Sequence, residues 1–258
     1  MRKIELNKQV ELIVEFIRKQ LNSSGFSKLI IGLSGGIDSA VTAALCVKAI
    51  GKENVFGVML PYRKSHPDSF NDAVEVADKL GIKHELVDIS PMVDSYFEKY
   101  AIDADILRKG NRMARERMCV LYDLSAKYKA LVAGTGNLSE LMIGYCTQYG
   151  DSACAFEPIG HLYKTEVYQM AEILGLPQSV ITKEPTADLW EGQTDEIEIG
   201  ITYKELDEIL FQMLDLKKED KELISTFSEE KIKKVKRMIK NSEFKRRMPD
   251  IMKKGREI

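Results

Sequence analysis

The stretch Leu29-Ile30-Ile31-Gly32-Leu33-Ser34-Gly35-Gly36-Ile37-Asp38-Ser39-Ala40 constrains this chain more than any other. An apolar run ends in Ser-Gly-Gly-x-Asp-Ser, and a run of helix formers, Ala40 to Ile50, follows. The pattern predicts a buried strand, a tight loop and a helix. Adjacent glycines let backbone N–H groups approach an anion that a Cβ would hold off. A helix beginning near Asp38 adds unpaired N–H groups and the positive end of its dipole. Ser34 and Ser39 contribute hydroxyls. A carboxylate belongs beside phosphates only when a cation lies between them, so Asp38 reads as a Mg²⁺ ligand. The loop has no lysine and does not follow Gly-x4-Gly-Lys-Ser/Thr. It therefore suits binding of a released pyrophosphate better than γ-phosphate transfer. The competing reading is a plain strand–turn–helix junction with Asp38 or Ser39 as the helix cap.

Other strands are expected at residues 54–60, 84–89 and 130–133, with the first at 28–33. Helices are expected at 5–22, 69–80, 112–127, 138–143, 164–174, 203–216 and 229–240. Residues 90–109 read as less regular, with a chain break at Lys109-Gly110-Asn111, and residues 144–161 as a loop. The acidic stretch 188–200, interrupted by Gly192, reads as mobile. Strands alternating with helices predict an α/β fold: a Rossmann-like, doubly wound parallel sheet in a single domain over 1–258. Gly134-Thr135-Gly136-Asn137 forms a second strand–turn–helix junction. Ligands in such sheets gather at the carboxyl ends of strands, so Thr135 and Glu140 are expected in one crevice with Ser34 and Asp38.

A chain of 258 residues, 44% hydrophobic and 30% charged, is large enough to fold without disulfides. Cys46, Cys119, Cys146 and Cys154 form no Cys-x-x-Cys pair, and without a signal peptide they read as reduced thiols of a cytoplasmic protein. Three scattered histidines, His66, His84 and His161, argue against a His-based metal site. No apolar run reaches the length of a membrane span. Net charge is −2, but residues 231–258 carry twelve Lys/Arg against three Asp/Glu. Such a run is usually a solvated face. Without interleaved aromatics beyond Phe244 it does not read as a nucleic-acid surface.

Further motifs follow in order: Gly110-Asn111-Arg112-Met113-Ala114-Arg115-Glu116-Arg117-Met118, Gly134 to Glu140, Tyr149-Gly150-Asp151, Leu162-Tyr163-Lys164-Thr165-Glu166, Pro185-Thr186-Ala187-Asp188-Leu189 and Gly192-Gln193-Thr194-Asp195-Glu196. Together with the loop, which is similar to that of the PP-loop ATP pyrophosphatases, they resemble the ammonia-dependent NAD synthetases over residues 28–249. The resemblance implies amidation of nicotinic acid adenine dinucleotide (deamido-NAD) to NAD with ATP, Mg²⁺ and ammonia, through an acyl-adenylate. The alternative kept beside it is another PP-loop amidotransferase or a tRNA-modifying ligase.

By that resemblance Gly32, Leu33, Ser34, Gly35, Gly36, Ile37, Asp38 and Ser39 hold the ATP phosphates. Asp38 and Glu140 ligate Mg²⁺, Thr135, Lys164 and Thr186 contact ATP, and Arg115, Gln148 and Lys245 bind deamido-NAD. Asp38, Glu140 and Lys164 form the catalytic set. Three positions depart from many bacterial members: Gln148 replaces a Lys, Ala155 an Asp, and Phe244 a His. Glutamine-dependent members carry an additional amidase domain. Only about 25 residues precede the first strand, so free ammonia is the expected nitrogen source. The resemblance also implies a homodimer; from charge pattern and hydropathy, neither nucleic acid nor membrane is an expected partner. Apolar stripes at 10–21 and 232–239 read as surplus faces available for that contact.

Overall fold

Residues 2–63, 67–190 and 192–252 are described by a computed structural model. His66, Glu191 and the last three basic residues of the tail lie outside them. Helix α1 (Leu6–Ser24) leads into β1 (Leu29–Gly32), α2 (Ile37–Ile50), β2 (Val55–Met59), α3 (Pro67–Leu80) and β3 (Lys83–Leu86). Next come α4 (Ser90–Tyr100), α5 (Ile106–Tyr128), β4 (Leu131–Val132) and α6 (Leu138–Ile143). After a long irregular connection the chain continues through α7 (Lys164–Ile173), α8 (Gln178–Ile181), α9 (Asp195–Ile199), α10 (Tyr203–Leu214), α11 (Asp220–Ile224) and α12 (Glu229–Asn241).

The four strands form one parallel sheet in the order β3-β2-β1-β4, with Leu29 opposite both Val55 and Leu131. Alternation along β1 explains the two-sided core. Leu29 and Ile31 point into one apolar cluster with α1, α2 and α7, whereas Ile30 points into the other with Val58, Val132 and α5. A third cluster joins α6, α9, α10 and α12. Strand order reverses between β1 and β4, so the loops leaving these two strands open a crevice. Among the described residues no helix is long and apolar enough to cross a membrane.

Two expectations fail and a third is narrowed. Residues 90–109 are mostly helical, and α5 runs straight through Gly110 instead of breaking there. A Cβ at Gly110 would lie 3.1 Å from Leu189 Cδ1 and 3.5 Å from Trp190 Cζ3. The glycine makes room for a neighbouring segment, which outweighs its low helix propensity. The terminal stripes are also not surplus. Ile13, Ile17 and Leu21 are buried in the first cluster, and Ile232 and Val235 are buried within the chain. Each such side chain contributes about 1.5–3 kcal/mol to folding. Part of the stretch expected to be mobile forms α9, whose Ile199 is buried and whose end is capped by Gly200 at φ 69°.

Candidate active site

The loop after β1 leaves the first turn of α2 open. Gly36 is the N-cap, and no side chain caps the helix. Neither Asp38 nor Ser39 fills that role. Ser39 Oγ donates to the Gly36 carbonyl at 2.9 Å, and the Gly36 N–H reaches Ser34 Oγ at 3.2 Å. Gly35 has φ 74°, and a Cβ there would strike the Ser69 carbonyl of α3. The free N–H groups at the start of α2 are suited to an anion.

The second junction is built differently. Asn137 caps α6: its Oδ1 accepts the Glu140 N–H at 3.0 Å, and Glu140 completes a capping box. The Asn137 Nδ2 donates to Asp38 Oδ1 at 2.8 Å. Lys164, at the start of α7 and only 2% exposed, places Nζ 2.5 Å from Asp38 Oδ2 and 3.0 Å from Glu140 Oε1. Its backbone is fixed from behind. Lys164 N–H donates to Ser139 Oγ at 2.9 Å, Ser139 donates to Asp207, and Asp207 accepts the Thr165 N–H at 2.8 Å.

Burial works against charge on Lys164, but the Asp38 and Glu140 carboxylates outweigh it and hold its pKa above the ordinary lysine value. Burial raises Glu140 above the usual carboxylate range against the pull of Lys164. Tyr203 donates to Glu140 Oε1 at 3.3 Å and to Asp195 Oδ2 at 3.0 Å. Tyr145 donates to Asp195 Oδ1 at 3.1 Å and to Glu198 Oε2 at 2.8 Å. Burial and these carboxylates raise both phenols, which therefore keep their protons. Tyr203 thus ties α9 to Glu140, and Tyr145 holds α9 through Asp195 and Glu198.

Asp38, Glu140, Lys164, Tyr145, Asp195 and Glu198 face a cavity of about 630 Å³, lined also by both glycine loops, by Thr135 and Thr186, and by Lys183 and Lys245. Lys245 Nζ donates to the Gly144 and Cys146 carbonyls at 2.8 and 2.6 Å. Arg115 and Gln148 do not line it. Arg115 is exposed, and its Nε donates to the Gln148 carbonyl at 3.3 Å. Arg117, two positions on, does line it, with its Nε on the Leu60 carbonyl at 3.0 Å. Sequence reasoning missed Arg117, Asn137, Tyr203 and Lys183. Lys183 ion-pairs with Asp72 at 2.8 Å and donates to Ser69 Oγ at 3.1 Å.

The donor set suits Mg²⁺. Two carboxylates converge with oxygen atoms only, and among the described residues no third acidic, His or Cys group completes a protein cage. Mg²⁺ is commonly held by one or two carboxylates, with substrate phosphates and waters filling the remaining positions.

The family model for NAD synthase matches residues 9–249. The chain is 48% identical to the NH(3)-dependent NAD(+) synthetase of Fusobacterium nucleatum over 256 residues, 98% of this chain and 99% of that one. Among solved structures, NH3-dependent NAD synthetase from Campylobacter jejuni, in complex with nitrate, superposes with a TM-score of 0.83 at 35% identity. The match covers 97% of this chain and 100% of that one. NMN synthetase from Francisella tularensis superposes with a TM-score of 0.87 at 31% identity, covering 97% and 99%. Sequence and architecture agree over nearly the whole length, and the chain belongs to the NAD synthase family.

Proposed function

We propose that this protein converts deamido-NAD, ATP and ammonia to NAD, AMP and pyrophosphate through an acyl-adenylate. The observation that carries the reading is the meeting of Asp38, Glu140 and Lys164 beside the uncapped start of α2. A nicotinate carboxylate resists ammonia because it is anionic and its leaving group would be oxide. Attack of that carboxylate on the α-phosphorus forms a new P–O bond and expels pyrophosphate. Ammonia then forms the C–N bond, and AMP leaves with the C–O bonding pair.

Residues Gly32 to Ser39 hold the phosphates, and Thr135 and Thr186 contact the nucleotide. Asp38 and Glu140 hold Mg²⁺, which when bound neutralises phosphate charge and polarises the reacting phosphoryl group. Lys164 supplies a fixed positive charge where negative charge develops. Lys245 serves the dinucleotide from the cavity wall, and Arg115 and Gln148 serve it from outside the cavity lining. Residues 1–258 act as one catalytic unit.

The working enzyme is a cytoplasmic homodimer. Its contact involves the junction of α4 and α5, where Tyr100, Ile102, Ile106 and Leu107 are exposed, Ile102 by 86%. Leu107 also lines the cavity, which supports a dinucleotide site near that contact. Sedimentation at micromolar concentration tests the dimer.

Labelled ATP tests the reaction. AMP and pyrophosphate should form only with deamido-NAD present, and ammonium alone should suffice as nitrogen donor. ADP as the stoichiometric product would overturn the adenylation route, and strict dependence on glutamine would overturn the nitrogen assignment. Offering the corresponding mononucleotide in parallel tests the choice of acceptor.

A further inference from the structure

Glu157 lies on the cavity wall outside every group assigned above. Its segment extends the sheet beyond β4: Ala133 bridges Phe156, and the Gly134 N–H donates to the Phe156 carbonyl at 2.9 Å. Glu157 Oε2 accepts the Gly136 N–H at 2.9 Å, and Oε1 accepts the Cys154 S–H at 3.3 Å. Three glycines close around this side chain. A Cβ at Gly134 would strike the carboxylate, one at Gly136 would lie 3.2 Å from Oε1, and one at Gly160 would lie 3.0 Å from the Glu157 Cβ. None of the three has positive φ, so space rather than backbone freedom demands glycine here.

Among the described residues no Lys, Arg or His forms an ion pair with Glu157. Asp151, which also lines the cavity, adds a second negative charge to its surroundings. The opposite condition holds at Asp38 and Glu140, where Lys164 already supplies a cation. A small cation with several N–H donors complements the Glu157 wall.

We infer that Glu157 receives the nitrogen substrate as ammonium and accepts its first proton. This rests on the NAD synthase reading. Ammonium is the dominant form at neutral pH and has no lone pair to attack with. One proton passes to Glu157. The nitrogen lone pair forms the C–N bond to the acyl carbon, and the C–O bond breaks with its electrons leaving on AMP. The second N–H proton goes to water. Burial, with Asp151 adding to it, pushes Glu157 up to about 7 against the Cys154 and Gly136 hydrogen bonds, so the group can hold that proton.

The test uses Glu157→Gln in the full chain, with two nucleophiles and one partial reaction. Exchange of labelled pyrophosphate into ATP, which needs adenylation but no nitrogen, should stay within about twofold of wild type. KM for ammonium should rise tenfold or more, the order expected on losing a charge-assisted hydrogen bond. Hydroxylamine, largely unprotonated near neutral pH, should react at close to the wild-type rate. If Glu157→Gln fails to support exchange, Glu157→Asp, which keeps the charge one methylene further back, is read by the same criteria. Equal ammonium KM in variant and wild type overturns the inference, as does an equal loss with both nucleophiles. Absence of ammonium-dependent product from the wild-type protein would instead overturn the reading beneath it.

Discussion

Asn137 and Asp38, ninety-nine residues apart, are joined by a 2.8 Å hydrogen bond from Nδ2 to Oδ1. The same Asn137 side chain caps α6 through the Glu140 N–H. The Asn137 side chain therefore orients the Asp38 carboxylate and the backbone that carries Glu140, and the two loop–helix junctions are fixed relative to each other before any ligand arrives.

From this follows the first expectation. Asp38→Asn and Glu140→Gln should each lower turnover by about a hundredfold or more, the order lost with one preorganised charge contact. Both variants should remain folded, because Lys164 keeps one carboxylate partner in each. Activity against Mg²⁺ concentration checks the role. Near-wild-type turnover at limiting Mg²⁺ would remove the carboxylate in question from the metal site.

Tyr203 touches Glu140 without facing the nucleotide loop, so its hydroxyl is a positioning group. Tyr203→Phe should weaken Mg²⁺ dependence by about tenfold while leaving saturated turnover within a few-fold, as expected when a hydrogen bond behind a metal ligand is lost. Binding of Mn²⁺ followed by electron paramagnetic resonance gives a readout independent of turnover. An unchanged Mn²⁺ affinity would reduce Tyr203 to a packing residue.

Glu157 predicts a pH dependence of stability. Its folded pKa of about 7 lies above the ordinary 4.5. Below 4.5 both states carry the proton. Between 4.5 and 7 only the folded state does, so the group's contribution to stability falls as pH rises through that window. Glu157→Gln removes this loss. The variant should gain on wild type by on the order of 2 kcal/mol between those pH values. Urea unfolding of the ligand-free proteins across the window checks the sign, and parallel curves would contradict it.

Residues 188–200 should divide on hydrogen exchange. Residues 195–199 should be protected without ligand, because Tyr145 and Tyr203 anchor Asp195 and Ile199 is buried. Residues 188–194 should gain protection only with ATP and deamido-NAD together. Equal protection of both halves in both states would argue against a closing segment.

Period and punctuation made the sheet legible. The runs at Leu29, Val55 and Leu131 and the stop at Gly81 lie close to where the chain alone indicates. Helix α4 was less visible, because Ser90-Pro91 and a short amphipathic run compete with loop chemistry. Gly110 misled because its reason is tertiary: a segment nearly eighty residues later packs on it. The stripes on α1 and α12 showed that these helices bury one face, but periodicity carries no record of what covers that face. At the site, Asp38, Glu140 and Lys164 were found by motif. Asn137 and Tyr203 were not, because each acts through a carboxylate contributed by another element. The distinction between Arg115 and Arg117 is rotational, a difference in which side of α5 meets the cavity.

The contact between Gly110 and Trp190 has a spectroscopic consequence. Trp190 is the chain's sole tryptophan and lines the cavity. All indole emission from this protein therefore arises at one point on the cavity wall, against a helix with no side chain in the way. Ligand entry and helix substitutions are reported by the same native fluorophore, with no label and no second indole to subtract.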